Sequence, residues 1–569
     1  MGLVNGALQI GRSALLAYQS ALQVIGNNIS NAGSTSYTRQ TAVLSPDQGV
    51  ALPEGFMPGG GVTLSGLQRH VDAALENRLR MAMGAQSEAL TQQQTLGRIE
   101  AVLNELSDTD LSTLIQEFFN SFATLQNTPH DLGARSMALT AGASLISEIQ
   151  RQRVDVLSLR DELNVQLADG ASRANELAAE ITALNVRITA TESPNVGGAN
   201  ALRGQRDELI RELGELVQIQ VREQPDGGVN VYVGNELLIA GGMNRGFTST
   251  LETINNEPRT VVRFADNNRE VNLVGGKLAG IVEARDTYVL GHVASLNDLS
   301  QALINEVNKV HSCGQGLKGY DQLTGTFDVL DPDAALNDSS AGLNLTPKNG
   351  SFIIYLTNTQ TTPPSRVATT IHVDLDGIGT DDTLASLAAK LDAVDNISAT
   401  VTADNRLQLT AADGHEITFG EDSSHVLAAL GLNVFFTGTN SQDLAINADL
   451  LSDPSLLAAA TEHADGDGSN AGFIAALATT SLTGLGNQSM TDFYNAIASN
   501  VAVQGSAASA GVESADAIVL SLSAQRESIS GVSLDEETIE MLRFERAFQA
   551  AAQYTSVVNQ LVEEMLSIV

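Results

Sequence analysis

The sequence predicts an α+β multidomain fold. Its N- and C-terminal helices pair as an antiparallel coiled coil, and between them lie a long helical-bundle rod and inserted mainly-β outer domains. Three observations predict it. Both ends carry apolar residues at alternating steps of three and four. The stretch from about 66 to 190 repeats helical spacing over many turns. The segments after 218 and after 313 switch to period-two alternation, with Thr, Asn and Asp abundant.

At the N-terminus the ladder is Val4, Leu8, Leu15, Tyr18, Leu22, Ile25 and Ile29, with Gly11 the rung that lacks a side chain. At the C-terminus it is Phe544, Ala547, Ala551, Tyr554, Val558, Leu561, Met565 and Ile568. Such a seam marks a coiled coil. A lone helix of this length is marginal in water, and Gly and Asn weaken it further. A two-helix pair still leaves both outer faces wet. These residues are therefore the expected assembly interface, covered by further copies of the chain and largely disordered until then; the alternative is that the ends pack back on the body as an ordinary bundle.

The elements follow in order. Asn27-Asn28-Ile29-Ser30-Asn31-Ala32-Gly33 reads as a helix stop, because Asn and Gly suit the left-handed residue that closes a helix. Residues 34–65, with Pro46, Pro53, Pro58 and Gly59-Gly60-Gly61, read as extended segments and turns. Leu96, Ile99, Leu103 and Leu106, then Leu111, Ile115, Phe118, Phe122 and Leu125, give amphipathic helices. Asn127-Thr128-Pro129 interrupts them, since Pro disfavours helix at the residue before it. Leu163, Leu167, Leu177, Ile181, Leu184 and Ile188 continue the pattern. Ser193-Pro194 and Gly197-Gly198 make a linker to a short helix at 201–217, and Pro225-Asp226-Gly227-Gly228 turns into a strand at Val229–Val233. A helix is expected at 278–311. Strands at Ile371–Leu375, Ala399–Thr402 and Leu407–Leu409 surround a short helix at 383–393. Helix returns over 473–529 and breaks at Gly531 before the final ladder. The expected domains are 1–65 with 530–569; 66–217 with 278–312 and 473–529; and 218–277 with 313–472, of which 365–440 forms a possible separate module.

Composition narrows the function classes. A formal charge of −36 repels phosphate backbones and anionic lipid, so neither nucleic acid nor membrane is an expected partner. Residues 1–40 hold Arg12 and Arg39 and no acid, whereas the last helix carries Asp535, Glu536, Glu537, Glu540, Glu545, Glu563 and Glu564 against Arg543 and Arg546. The resulting attraction is expected to be modest, as exposed pairs are screened. Cys313 is the only cysteine, which excludes an intrachain disulfide. The first residues lack the basic region and apolar run of a cleaved signal, and no run reaches the ~18 apolar residues of a membrane span.

No catalytic, cofactor or metal site is expected. Gly314-Gln315-Gly316-Leu317-Lys318-Gly319 fits a dinucleotide template but follows a helix, so it reads as a flexible helix-exit loop. His311 and Cys313 are too few for a metal site and read as helix-end packing. His415-Glu416 begins a zinc-protease motif that fails at Phe419. Asp465-Gly466-Asp467-Gly468 lacks the remaining ligands of a calcium loop and reads as a turn.

Several segments resemble the axial proteins of the bacterial flagellum. Ser20-Ala21-Leu22 through Asn27-Asn28-Ile29-Ser30-Asn31-Ala32 is similar to their shared N-terminal motif. Ser36-Tyr37-Thr38-Arg39-Gln40 is similar to the Gly-Tyr-Ser-Arg-Gln that follows it in the hook-associated members, with Ser36 and Thr38 departing from that pattern. Gln205-Arg206-Asp207-Glu208-Leu209, Gly275–Gly280, Val307–His311 and Leu430–Gly438 resemble interior segments, and Gly531–Glu537 with Phe544–Ala551 the C-terminal motif. Residues 365–440 resemble an insertion module of filament and junction proteins. The resemblance implies a non-enzymatic structural adaptor joining hook to filament. It implies export through the flagellar type III channel and a place outside the cell at the hook–filament junction. The implied partners are further copies of itself, the hook protein, hook-associated protein 3, and an export chaperone on the C-terminal helix. The alternatives are another axial component, such as hook or distal rod, or a surface adhesin. The helical stretch at 66–190 and Tyr37-Thr38-Arg39-Gln40 argue against the first, and the lack of a visible export signal or anchor against the second.

Overall fold

The structure is a computed structural model that describes residues 2–34, 36–48, 59–103, 110–192, 198–254, 257–462 and 466–568. Pro53, Pro58, Leu106, Ser193-Pro194, Gly197 and Asp465 lie outside the described residues.

Helix α1 (Gly2–Ser30) leads into a hairpin of β1 (Gln40–Asp47) and β2 (Gly61–Arg69). The hairpin pairs antiparallel from Gln40↔Arg69 to Asp47↔Gly61, with a bulge at Val43/Leu44. Helices α2 (Ala73–Leu103), α3 (Leu111–Asn127), α4 (Leu132–Glu192) and α5 (Asn200–Leu216) follow. Asp110 caps α3 by accepting from the Thr113 amide at 2.6 Å, and α3 stops before Thr128-Pro129 as Pro129 requires. Strands β3 (Ile219–Glu223), β4 (Val229–Val233), β5 (Glu236–Ala240) and β6 (Met243–Asn244) form one antiparallel sheet in sequence order. β7 (Phe247–Ile254) and β8 (Glu257–Phe264) form a second pair.

The helix expected at 278–311 is α6 (Lys277–Glu283), a π-helical turn at Ala284–Val289, and α7 (Leu290–His311). The turn carries Arg285, whose buried guanidinium donates to Asn164 Oδ1 at 3.0 Å and to the Thr260 carbonyl at 2.7 Å. After α7 come β9 (Gln322–Thr324), β10 (Gly350–Asn358), β11 (Ser365–Val373), α8 (Leu384–Asp392), β12 (Ile397–Val401), β13 (Leu407–Ala411) and β14 (His415–Asp422). They form antiparallel sheets of order β11-β10-β14 and β12-β13-β9. Then follow α9 (Val426–Ala429), the short pair β15 (Phe436–Thr437) and β16 (Ala445–Ile446), α10 (Ala448–Ser452) and α11 (Ser469–Ala476). The helix expected over 473–529 is broken. Gly486 and Asn487 adopt left-handed φ of 66° and 63°, which ends helical geometry before α12 (Met490–Ser530) begins. The chain breaks at Gly531 and closes with α13 (Leu534–Ile568).

The chain divides into two compact units, one of residues 1–94, 162–285 and 505–569, the other of 95–161 and 286–504. In the first, Leu75 and Leu79 of α2 pack with Leu522 of α12, and Leu184 and Ile188 of α4 with Ala199. Asn185 of α4 is fully satisfied there: it donates to the Val229 and Gly241 carbonyls and accepts from the Val229 amide. In the second, Phe118, Phe119 and Phe122 of α3 cluster with Phe435 and Phe436, with ring centroids between 4.7 and 5.6 Å apart. Such edge-to-face contacts add to the area they bury.

Candidate assembly interface

Helix α1 packs on α13 along one side and on the β1–β2 hairpin along another. The pair is antiparallel: Gly11 lies against Tyr554 and Thr555, Tyr18 against Phe544 at 6.1 Å between ring centroids, and Asn28 against Glu537. The missing rung at Gly11 is a point of close approach. A Cβ there would collide with Thr555 Oγ1 and lie 3.4 Å from Thr555 Cβ.

Of the fifteen ladder residues, Ile25, Ala551 and Val558 are buried. Leu8, Leu15, Tyr18, Leu22, Ile29, Phe544 and Ala547 are half-buried. Tyr554, Leu561 and Met565 are 42 %, 53 % and 53 % exposed. Val4 and Ile568 belong to the helices, but their side chains lie outside the described residues. The periodicity missed Ala17 and Ala21, buried one position before Tyr18 and Leu22, and half-buried Phe548, Thr555 and Val562. Small residues let backbones approach, and an apolar pattern weighted to large side chains passes over them. Tyr554, Val557, Leu561 and Met565, at steps of three and four, form a second apolar stripe exposed on α13.

The Asn28 end corrects the sequence reading. No residue from Asn27 to Gly33 has positive φ, so Asn28 does not close α1 through its backbone. Its side chain, 1 % exposed, is a hub instead. Asn28 Nδ2 donates to Glu537 Oε2 at 2.9 Å and to the Gln40 carbonyl at 2.8 Å. Its Oδ1 accepts from the Tyr37 hydroxyl at 2.9 Å and the Gln40 amide at 3.2 Å, which fills the amide's capacity. Burial, and then the Glu537 charge, push the Tyr37 hydroxyl above its ordinary pKa, so it stays a donor. Arg39 donates to Glu537 Oε1 and to Glu536 Oε2, both at 2.7 Å, and its amide to the Ser530 carbonyl. Glu537 is 2 % exposed, so this attraction between the chain ends is no screened surface pair. Removing one partner of such a buried charge costs roughly 3–5 kcal/mol. The knot continues outward: Gln40 Oε1 accepts from Asn200 at 3.1 Å, and Arg69 donates to Asp207 Oδ2 at 2.6 Å.

Residues 96–327 match the family described as the flagellar hook-associated protein FlgK helical domain. Flagellar hook-associated protein 1 of Escherichia coli (strain K12) is 28 % identical over 577 residues, covering 100 % of this chain and 99 % of that protein. The Salmonella typhimurium protein of that name is 28 % identical over 589 residues, with the same coverage. The Bacillus subtilis one is 22 % identical over 98 % of this chain and 97 % of its own length. Over almost its whole length the chain is similar to proteins named flagellar hook-associated protein 1. In fold it is similar to the flagellar hook junction protein FlgK from Burkholderia pseudomallei, with a TM-score of 0.50 and 15 % identity over 80 % of this chain and 100 % of that one.

Two other segments that carry the resemblance, Val307–His311 and Leu430–Gly438, are also one another's partners. Asn308 Nδ2 donates to the Phe436 carbonyl at 2.8 Å, and its Oδ1 accepts from the Phe435 and Phe436 amides. Asn433, left-handed at φ 50°, donates to the carbonyls of His311, Ser312 and Gly314 and accepts from the Tyr320 hydroxyl. Buried Arg206 donates to Asn185 Oδ1 and to the Gly227 carbonyl. Gly276, at φ 86°, sits where a Cβ would come within 2.7 Å of the Leu216 carbonyl oxygen.

The rejected chemistry takes structural form. His311 Nε2 accepts from the Ala458 amide at 3.0 Å, so Nδ1 carries the proton and donates to the Asn433 carbonyl at 2.8 Å. Burial pulls its pKa down to about 4. The Cys313 thiol donates to the Lys309 carbonyl, and burial raises it to about 11. The loop at 314–319 is pinned rather than flexible: Gln315 pairs with Ala460, the Leu317 amide donates to Ser455, and Tyr320 pairs with Ile417. Its glycines admit close backbone packing, with Gly316 against Ser455 and Gly319 against Ile417. Phe419 is buried in β14. Asp467 accepts the amides of Thr461, Glu462 and Ser469 as a turn cap. Among the described residues no helix is long and apolar enough to cross a membrane.

Proposed function

We propose that this chain is a structural adaptor that joins the flagellar hook to the filament, outside the cell at the hook–filament junction. It travels through the type III export channel unfolded and assembles through its terminal helices. The observation that carries the reading is the α1–α13 pair, which leaves Tyr554, Val557, Leu561 and Met565 exposed as an apolar stripe in a chain homologous throughout to flagellar hook-associated protein 1. A large apolar surface on a single copy marks an interaction site, and in an array of copies each stripe would find cover. The partners are further copies of the chain, the hook protein on one side, hook-associated protein 3 on the other, and an export chaperone on α13 before release. In this reading residues 1–65 and 530–569 form the assembling domain; 66–217, 278–312 and 473–529 the helical section; and 218–277 and 313–472 the outward parts, with 365–440 an inserted module. Deleting the gene and imaging the cells by electron microscopy tests it. Hooks without filaments, with flagellin shed into the medium, are expected. Complete filaments on the deletion strain would overturn the reading.

A further inference from the structure

Apolar seams that repeat about every seven residues admit more than one alignment. Two features at opposite ends of the α1–α13 pair remove that freedom. Gly11 accepts Thr555 so closely that a Cβ at position 11 has no room. Asn28 and Arg39 meet buried Glu537. Gly11 and Asn28 are about 26 Å apart along α1 at 1.5 Å per residue. Sliding α13 by one heptad, about 10 Å, brings Phe548 or Val562 against Gly11. The same slide carries Glu537 away from Asn28 and Arg39, leaving a buried carboxylate and amide without partners.

We propose that Asn28, Arg39 and Glu537 determine the register of the terminal pair. They fix the axial offset of α13 on α1, and with it the height at which Tyr554, Val557, Leu561 and Met565 are offered to neighbouring copies. Selecting one alignment at a cost in stability is the best-attested use of buried polar groups in helical pairs. The importance of the offset rests on the assembly role proposed above; the groups that set it lie within one chain.

Disulfide trapping in the full chain tests it. Cys313→Ser removes the native thiol. Gly11→Cys is combined with Thr555→Cys, or with Phe548→Cys or Val562→Cys in chains that also carry Thr555→Ala, which removes the hydroxyl that a Cβ at position 11 would meet. The 3.4 Å from the position-11 Cβ to Thr555 Cβ is close to disulfide spacing. In a glutathione redox buffer the three pairs report three alignments. With the knot intact, the 11–555 bridge should exceed the other two by about tenfold or more, the factor that one hydrogen bond to a charged group supplies. In an Asn28→Leu/Glu537→Leu background the preference should largely vanish. An unchanged preference in that background overturns the proposal, as does a different dominant bridge with the knot intact. Scoring the free chain and the chain built into flagella separates the two readings. Full preference in the free chain keeps the register assignment and overturns folding on assembly; preference in flagella alone keeps both. If the double variant is left out of flagella, its free chain is scored in trimethylamine oxide, which orders marginal helices, and an undiminished preference there overturns the proposal.

Discussion

Replacing Leu561 by Asp separates the folding of one copy from the joining of many. Leu561 is 53 % exposed on α13, in the stripe with Tyr554, Val557 and Met565. In a single chain the substitution removes little buried surface, so stability should change by no more than about 0.5 kcal/mol. In an array that covers the stripe, the exposed half of the leucine contributes about 1 kcal/mol. A carboxylate covered in its place without a cation costs several kcal/mol more. A loss of about 4 kcal/mol is roughly a thousandfold in association, and it recurs in every copy. The assay pairs thermal denaturation of the purified protein with swimming halos and antibody-labelled electron microscopy of hook tips. Leu561→Asp should melt like the parent, be absent from hook tips and abolish motility. Leu561→Met, which conserves volume, should be incorporated normally. Full motility of the Asp variant, or a melting shift large enough to explain its exclusion, would show that the stripe is not covered on assembly.

Removing residues 1–65 and 530–569 should cost far less circular-dichroism signal than α1 and α13, of 29 and 35 residues, would carry when formed. A loss matching both helices would show that the ends fold in the free chain. Gly276→Ala should lower the thermal midpoint by an amount worth about 2 kcal/mol or more, since φ is 86° and the new Cβ meets Leu216; an unchanged midpoint would count against this backbone. Acid should destabilise the protein through His292 and His311, whose pKa values burial lowers to about 4. Their folded values lie below the unfolded 6.5, so their contribution is complete above pH 6.5 and is lost as pH falls toward 4, by about 3 kcal/mol for each. His292, with neither ring nitrogen hydrogen-bonded, can be replaced by Leu, and denaturant melts between pH 7 and pH 4 should then lose one proton's worth of slope.

Local order was legible because it is written in local chemistry. The ladders gave the two terminal helices, Thr128-Pro129 gave the end of α3, and Pro225-Asp226-Gly227-Gly228 gave the turn before β4. Where the reading failed, the deciding partner was remote. Nothing near 284–289 announces a π-helical turn, because Arg285 there answers to Asn164 and Thr260. The loop at 314–319 looked flexible from its glycines, yet those glycines serve packing against Ser455 and Ile417.

Asn28 is the sharpest case. In the sequence it sits in a run of Asn, Ser and Gly that suits a helix end, and α1 does end at Ser30. Its side chain answers to Glu537, 509 residues away, and to Gln40 beyond the turn. An apolar period reports which face of a helix is buried; it carries no information on how far along its partner that helix sits. That offset needs groups whose burial is tolerable in one alignment only, such as a carboxylate, an amide and a glycine with no room for a Cβ. Such groups are few, and each one read singly resembles a cap, a surface charge or a gap in the pattern. The ladder therefore predicts that the ends pair, while their alignment resides in the residues the ladder leaves out.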